Sequence, residues 1–185
     1  MPESSPIDEM IDFIRKTVPT DLDFAKFAKI FNYGPYKVVE FTTPLGLLNL
    51  YISSDTIYIT IGYSKRNIRA FTETYCTHDQ FKTDHKPILD TIYNYHDSVC
   101  KFAQTLDSHF RYFGSNFGIE DYNSLRIHTK LEPYSIQDGT AYLSVGIGGV
   151  FKKLDLIPYF IWSEPDDYAH EIFEDFVFEY GNPAV

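Results

Sequence analysis

The residues best suited to hold a metal fall together at Cys76-Thr77-His78, with His85 seven positions on. Zinc takes four such ligands, or three and a water, usually in paired short spacings. One Cys-x-His without a second knuckle reads instead as a polar loop beside a buried thiol, so no metal is expected. His96-Asp97 and His109 stand thirteen residues apart, more than three helical turns, too far to share a small site. No Glu-x-x-His pair accompanies them, as a carboxylate-bridged metal bundle would need, and they read as surface histidines. Gly146-Ile147-Gly148-Gly149 followed by Lys152-Lys153 has the composition of a phosphate cradle. A cradle needs a helix N-terminus behind its glycines. Here Leu154, Asp155 and Leu156 continue as a strand toward Pro158, so the glycines read as a hairpin turn or bulge. There is no Gly-x-Ser-x-Gly elbow, and neither cysteine has a neighbouring motif that would lower its pKa. No catalytic residue and no cofactor is assigned, and the chain is not expected to be an enzyme.

The elements that must position these residues follow from hydrophobic period. Ser5-Pro6 opens a helix with Ile7, Met10, Ile11 and Ile14 at helical spacing, ending at Pro19. Thr20 or Asp21 caps a second helix that places Leu22, Ala25, Ala28 and Phe31 on one side, stopped by Gly34-Pro35. Together these make a helical segment over residues 1–33. From Tyr36 the period becomes two: Tyr36 to Thr43, a Pro44-Leu45-Gly46 turn, Leu47 to Ser53, a Ser54-Asp55 turn, and Thr56 to Tyr63. Arg69 to Cys76 is a candidate fourth strand. A long helix opens at Asp84 and Lys86-Pro87 and carries Ile88, Ile92, Tyr95, Val99, Phe102, Leu106, Phe110 and Phe113 as its apolar stripe, up to Gly114. Three more strands follow over Ser124 to Leu131, Thr140 to Gly148 and Leu154 to Ser163, with Gln137-Asp138-Gly139 as a turn. Pro165 to Tyr180 is a final helix with Ile172, Phe173, Phe176 and Tyr180 facing inward. The expectation is one α+β domain over 1–185, antiparallel sheet packed on a long central helix, in the order α-α-β-β-β-(β)-α-β-β-β-α.

Composition bounds the function. Of 185 residues, 44% are apolar and 17% aromatic, enough to bury a sizeable core, and 23% are charged. A net charge of −10 disfavours nucleic acid and anionic lipid as partners. Met1 to Glu9 carries Glu3, Asp8 and Glu9 where a secretory leader needs basic residues. No stretch approaches the roughly 18 apolar residues of a membrane span. A cytoplasmic protein with reduced Cys76 and Cys100 is therefore expected.

The charge is distributed unevenly. Residues 154–185 contain eight acids and no lysine or arginine, so eight of the ten net negative charges sit in the last 32 residues. Glu171 and Asp175, and Asp175 and Glu179, stand four apart on the final helix and repel by a few tenths of a kcal/mol per pair. A basic partner would reverse that cost. Pro158-Tyr159-Phe160-Ile161-Trp162 runs into this helix as a strand bulky on both faces, and Tyr and Trp beside charge make up interface hot spots. The expected partner-binding residues are Tyr159, Trp162, Glu164, Asp166, Asp167, Glu171, Glu174, Asp175 and Glu179. Tyr33, Tyr36, Tyr51, Tyr58 and Tyr63 cluster around the first sheet, and Arg126, His128 and Lys130 form a basic stripe expected to meet the acidic helix internally.

The order helix, three strands, long helix, two or three strands, helix resembles that of type III secretion chaperones, which are also small and acidic. The acidic, aromatic-rich composition resembles that of immunity proteins, which neutralise bacterial toxin domains. Either resemblance implies a protein that works by binding another protein, as monomer or homodimer. The leading expectation is an immunity-type inhibitor that occludes the active site of a basic toxin or enzyme; the alternative is a chaperone holding an extended segment, and an enzyme with an unrecognised site ranks third.

Overall fold

A computed structural model describes residues 5–132 and 134–181, so Glu3 lies outside the described residues. The first helix, α1 (Pro6–Asp21), is capped by the Ser5 side chain and buries Met10, Ile11, Ile14 and Val18. It runs two residues past Pro19, which loses one hydrogen bond where the helix is about to end in any case. The expected second helix is instead a strand. Lys26–Tyr33 is β1, paired in antiparallel register to β2 (Tyr36–Thr43) across the Gly34-Pro35 turn. Leu22 and Ala25 are buried as expected, but they lead into the strand. A ladder to β2 outweighs a short apolar helix stripe, as β-prone Phe27, Ile30, Phe31 and Tyr33 favour.

The meander continues through β3 (Gly46–Ile52), β4 (Thr56–Lys65) and β5 (Ile68–Thr77), the last being the candidate fourth strand. At the β2–β3 turn Gly46 has φ of +113°, and a Cβ there would lie 1.7 Å from the Gly62 carbonyl oxygen, so only glycine fits. Helix α2 (His78–Phe113) then crosses the sheet. It starts six residues before the expected Asp84, at a Thr77/Gln80 capping box. The Lys86-Pro87 signal marks a kink rather than a start: Asp84 has non-helical angles, and Pro87 removes a helical hydrogen bond. The expected stripe is buried from Ile88 to Phe110, whereas Phe113 is exposed.

After a 3-10 turn at Gly114–Phe117 come β6 (Tyr122–Glu132), β7 (Ser135–Ile147) and β8 (Val150–Leu156). β6 lies parallel to β5 and every other pairing is antiparallel, giving one eight-stranded sheet in sequential order. The expected turn at Gln137-Asp138-Gly139 lies inside β7. Gly139 is there because a Cβ would meet the Lys130 carbonyl at 2.7 Å, where β6 bulges between Lys130 and Glu132. Gly148 and Gly149, both at positive φ, make the β7–β8 hairpin turn expected for them. The last expected strand stops at Leu156. Pro158–Ser163 is a short helix, α3, with Pro158 in its first turn, and α4 (Pro165–Tyr180) follows as expected.

The fold is therefore a single α+β domain with all the described helices on one face of the sheet. One apolar cluster joins α1, β2–β5 and the first half of α2; a second joins β5–β8, the rest of α2, α3 and α4. Five strands precede the long helix, a departure from the three-strand order behind the likeness to secretion chaperones. Both sheet edges carry lysines, Lys26 and Lys29 on β1 and Lys152 and Lys153 on β8, a placement that discourages addition of a further strand.

His96 sits between the two clusters and is fully buried, not on the surface as its polarity suggested. Its Nε2 donates to the Leu45 carbonyl at 3.0 Å, so Nδ1 accepts from the Thr72 hydroxyl at 2.7 Å. Burial holds its pKa down to about 4. The unfolded chain thus binds a proton that the folded chain refuses between about pH 6.5 and 4. This contribution to stability is complete above that window and falls away as the pH drops through it. Urea unfolding should show wild type losing on the order of 2 kcal/mol between pH 7 and 4.5 beyond the loss of a His96→Gln variant. Parallel pH profiles for the two would refute a neutral buried His96.

Candidate functional site

The expected binding residues lie on α3 and α4, with Glu164 at the junction between them, at the sheet's helical face. Pro158–Trp162 has no apolar period, and a short apolar run does not distinguish strand from helix. In the fold Pro158 and Ile161, three apart, turn into the core, while Tyr159, Phe160 and Trp162 face outward. Two buried tyrosines hold this segment: the Tyr95 hydroxyl donates to the Pro158 carbonyl at 2.9 Å, and the Ile157 amide donates to the Tyr168 hydroxyl at 2.8 Å. Trp162 stacks parallel to Tyr95 with ring centroids 6.1 Å apart.

On α4 the inward stripe is Tyr168, Ala169, Ile172, Phe173 and Phe176, which leaves Asp166, Asp167, Glu171, Glu174, Asp175 and Glu179 exposed, with Glu164 just ahead of the helix. Two of these acids are engaged within the chain. Asp166 accepts from the Thr105 hydroxyl at 2.7 Å, and Glu174 lies 2.9 Å from His170. Among the described residues the other five have no ion pair. Phe178, overlooked in the sequence, is 92% exposed beside a cavity of about 500 Å³ lined by Phe117, Phe173, Glu174 and Val177.

Among the described residues the opposite face of the sheet carries no helix. Tyr33, Tyr36, Tyr51 and Tyr58 do gather there, joined by Tyr75, with the Tyr51 ring edge-on to Tyr33, Tyr36 and Tyr58. Tyr63 does not belong to the group; it packs toward the helices, where Gln104 donates to its hydroxyl at 3.2 Å. Next to the tyrosines, Glu73 is 7% exposed and accepts from the Tyr58 hydroxyl. His128 Nε2 lies 3.2 Å from the same carboxylate, and Tyr142 is 2.8 Å from His128 Nδ1. This chain of polar contacts crosses four strands. Burial and the neighbouring Glu73 carboxylate push the Tyr58 hydroxyl pKa well up, so Tyr58 stays a protonated donor.

Arg126, His128 and Lys130 do share a face of β6, but it is this uncovered one, so the sheet separates them from the acidic helix. Alternation forces the result: Leu125, Ile127, Thr129 and Leu131 take the helical side. Cross-strand register sets Arg69 opposite Arg126, Arg126 opposite Ser144, and Ser144 opposite Lys153. Lys153 stands in the glycine-lysine run weighed as a phosphate cradle, whereas Arg69, Glu73, Tyr142 and Phe151 carried no sequence signal of a site. Each is an ordinary outward residue of its own strand, and only pairing between distant strands gathers them.

The candidate metal ligands are dispersed. Cys76 points into the core, His78 Nε2 is 2.8 Å from the Ser53 carbonyl, and His85 pairs with Asp21 at 2.8 Å. Among the described residues no group of three or more His, Cys, Asp or Glu is placed to hold a metal ion. His109 contacts His170 at 3.2 Å, tying α2 to α4. No described helix is long and apolar enough to cross a membrane. No family model, curated protein or solved structure matches the chain.

Cys76 and Cys100 are free and lie in different apolar clusters, each with its thiol pKa pushed up to about 12 by burial. Ellman's reagent should therefore leave the native protein essentially unmodified at pH 8 and titrate two thiols per chain in guanidinium. Rapid modification of the native protein would contradict this placement.

Proposed function

We propose that this chain is a non-catalytic protein-binding domain, an immunity-type inhibitor that occludes the active site of a basic toxin or enzyme in the cytoplasm. One observation carries the reading: exposed Tyr159, Phe160 and Trp162 adjoin Glu164, Asp167, Glu171, Asp175 and Glu179, carboxylates without an ion pair among the described residues. Isolated charges of one sign on a helix gain nothing from their own neighbours. Opposed to a cationic substrate pocket, they speed encounter and exclude substrate, while a desolvated aromatic anchor sets the lifetime of the complex. Trp162 is the best anchor, because its stacking on buried Tyr95 holds its rotamer before binding.

Affinity capture from the native cytosol, washed at low and high salt, with mass spectrometry of the bound protein, tests this reading. The wild type should retain one stoichiometric basic protein whose retention falls with salt. The double variant Glu171→Lys/Asp175→Lys should lose it, and Trp162→Ala should weaken it by about 2 kcal/mol, roughly thirtyfold in Kd. Equal capture by wild type and the charge-reversed variant, or no partner at any salt, would overturn the reading.

A further inference from the structure

The uncovered sheet face concentrates positive charge in a strongly acidic protein. Arg69, Arg126 and Lys153 occupy one row across β5, β6 and β8, with Ser144 of β7 between the last two. Neighbouring strands are about 4.8 Å apart, and like charges directly opposite one another are destabilising. The chain has 26 acids to 16 bases, yet among the described residues no carboxylate forms an ion pair with any of these three cations. The acids on this face include Glu40 on β2, three strands away from Arg69, together with Glu73 and Asp155. Glu73 is engaged by Tyr58 and His128, and Asp155 sits opposite Tyr142, one position along from the cationic row.

Aromatic rings border the same space. The Arg126 guanidinium lies 4.5 Å from the centre of the Phe151 ring. That stacking fixes the plane of the guanidinium and leaves its N–H edge free for a forked contact to phosphate. Phe71 and Tyr142 flank His128, with ring centroids 5.0 and 5.2 Å from it. The cavity between these walls has a volume of about 390 Å³, the size of a small-molecule pocket. Three unpaired cations, a hydroxyl and several ring faces are complementary to a planar ring carrying a multiply charged group.

We infer that this pocket binds a planar heteroaromatic ligand with a phosphate or diphosphate group, of nucleotide size. Arg69, Arg126 and Lys153 receive the phosphate, Ser144 donates a hydrogen bond, and Phe71, Tyr142 and Phe151 supply ring contacts. A longer polyanion is disfavoured, because beyond the pocket it meets a protein of net charge −10. The pocket lies across the sheet from α4, so this inference stands independently of the proposed inhibitor surface.

Isothermal titration of the full chain with ADP, GDP, CDP and UDP, and separately with adenosine, pyrophosphate and a short polyglutamate peptide, provides the test. At least one diphosphate should bind at one site per chain with Kd below about 1 mM. Adenosine, pyrophosphate and the peptide should each bind at least tenfold more weakly than that nucleotide. Arg126→Gln should weaken nucleotide binding at least tenfold and Phe151→Leu should weaken it measurably. Glu171→Lys/Asp175→Lys should leave it unchanged. Circular dichroism and thermal melts of each variant separate loss of binding from loss of fold, and Lys153→Gln on the edge strand offers a second probe of the charge. Absence of saturable binding by all four nucleotides, equal affinity for pyrophosphate or the peptide, or affinity unaffected in folded Arg126→Gln would each overturn the inference.

Discussion

Everything in this molecule depends on α2 crossing a sheet that is otherwise built from local hairpins. Eight strands in sequential order form a wide layer, and no single hairpin can bury its own apolar side. The helix supplies Phe81, Ile88, Leu89 and Ile92 to one apolar cluster and Tyr95 through Phe110 to the other, so the two cores become one layer. It also carries the only crossover among the described strands, which makes β5 and β6 parallel. Where the clusters meet, His96 bonds a strand hydroxyl on one side and the β2–β3 turn on the other. A neutral imidazole can satisfy both partners at once, and a buried hydrocarbon could satisfy neither.

With every described helix on one side, the other face must be compatible with water, and its outward positions are free to carry function. Two surfaces of opposite character result. The helical face ends in α3 and α4, where exposed aromatics adjoin carboxylates, five of them without an ion pair among the described residues. The uncovered face carries tyrosines, a buried Glu73 contacted by Tyr58 and His128, and a row of cations. The sheet between them is about one strand layer thick, yet direct pairing of the opposite charges is impossible, because successive side chains on a strand leave by opposite faces. The separation therefore follows from the pleat.

Much of the fold was legible because it is periodic. Alternation through Ile57, Ile59 and Ile61, the stripe from Ile88 to Phe110, and the Pro165-initiated helix all correspond to observed elements. The misread segments are those where local signals conflict. Leu22 to Phe31 has apolar residues at helical spacing but is paired as β1 from Lys26. Asp84 to Pro87 has the composition of a helix start but forms a kink, because the capping box at Thr77 lies upstream. Gly139 has the composition of a turn but relieves a bulge in the facing strand. Pro158 to Trp162 is too short and too uniformly apolar to declare a period.

The candidate surfaces divide in the same way. The acidic helix was visible by counting charges, since its residues are contiguous and a helix keeps them together at 3.6 residues per turn. The amino-acid order alone thus determined the α+β class, the long central helix, and the concentration of acid near the C-terminal end. Tertiary structure alone decided the rest. It paired Arg69 with Arg126 and Ser144 with Lys153, joined Tyr58 to Glu73 and Glu73 to His128, and turned the basic stripe away from the acidic helix. The reason is physical: a pleat assigns a residue to one side or the other, but only the register between strands far apart in sequence sets which outward residues become neighbours.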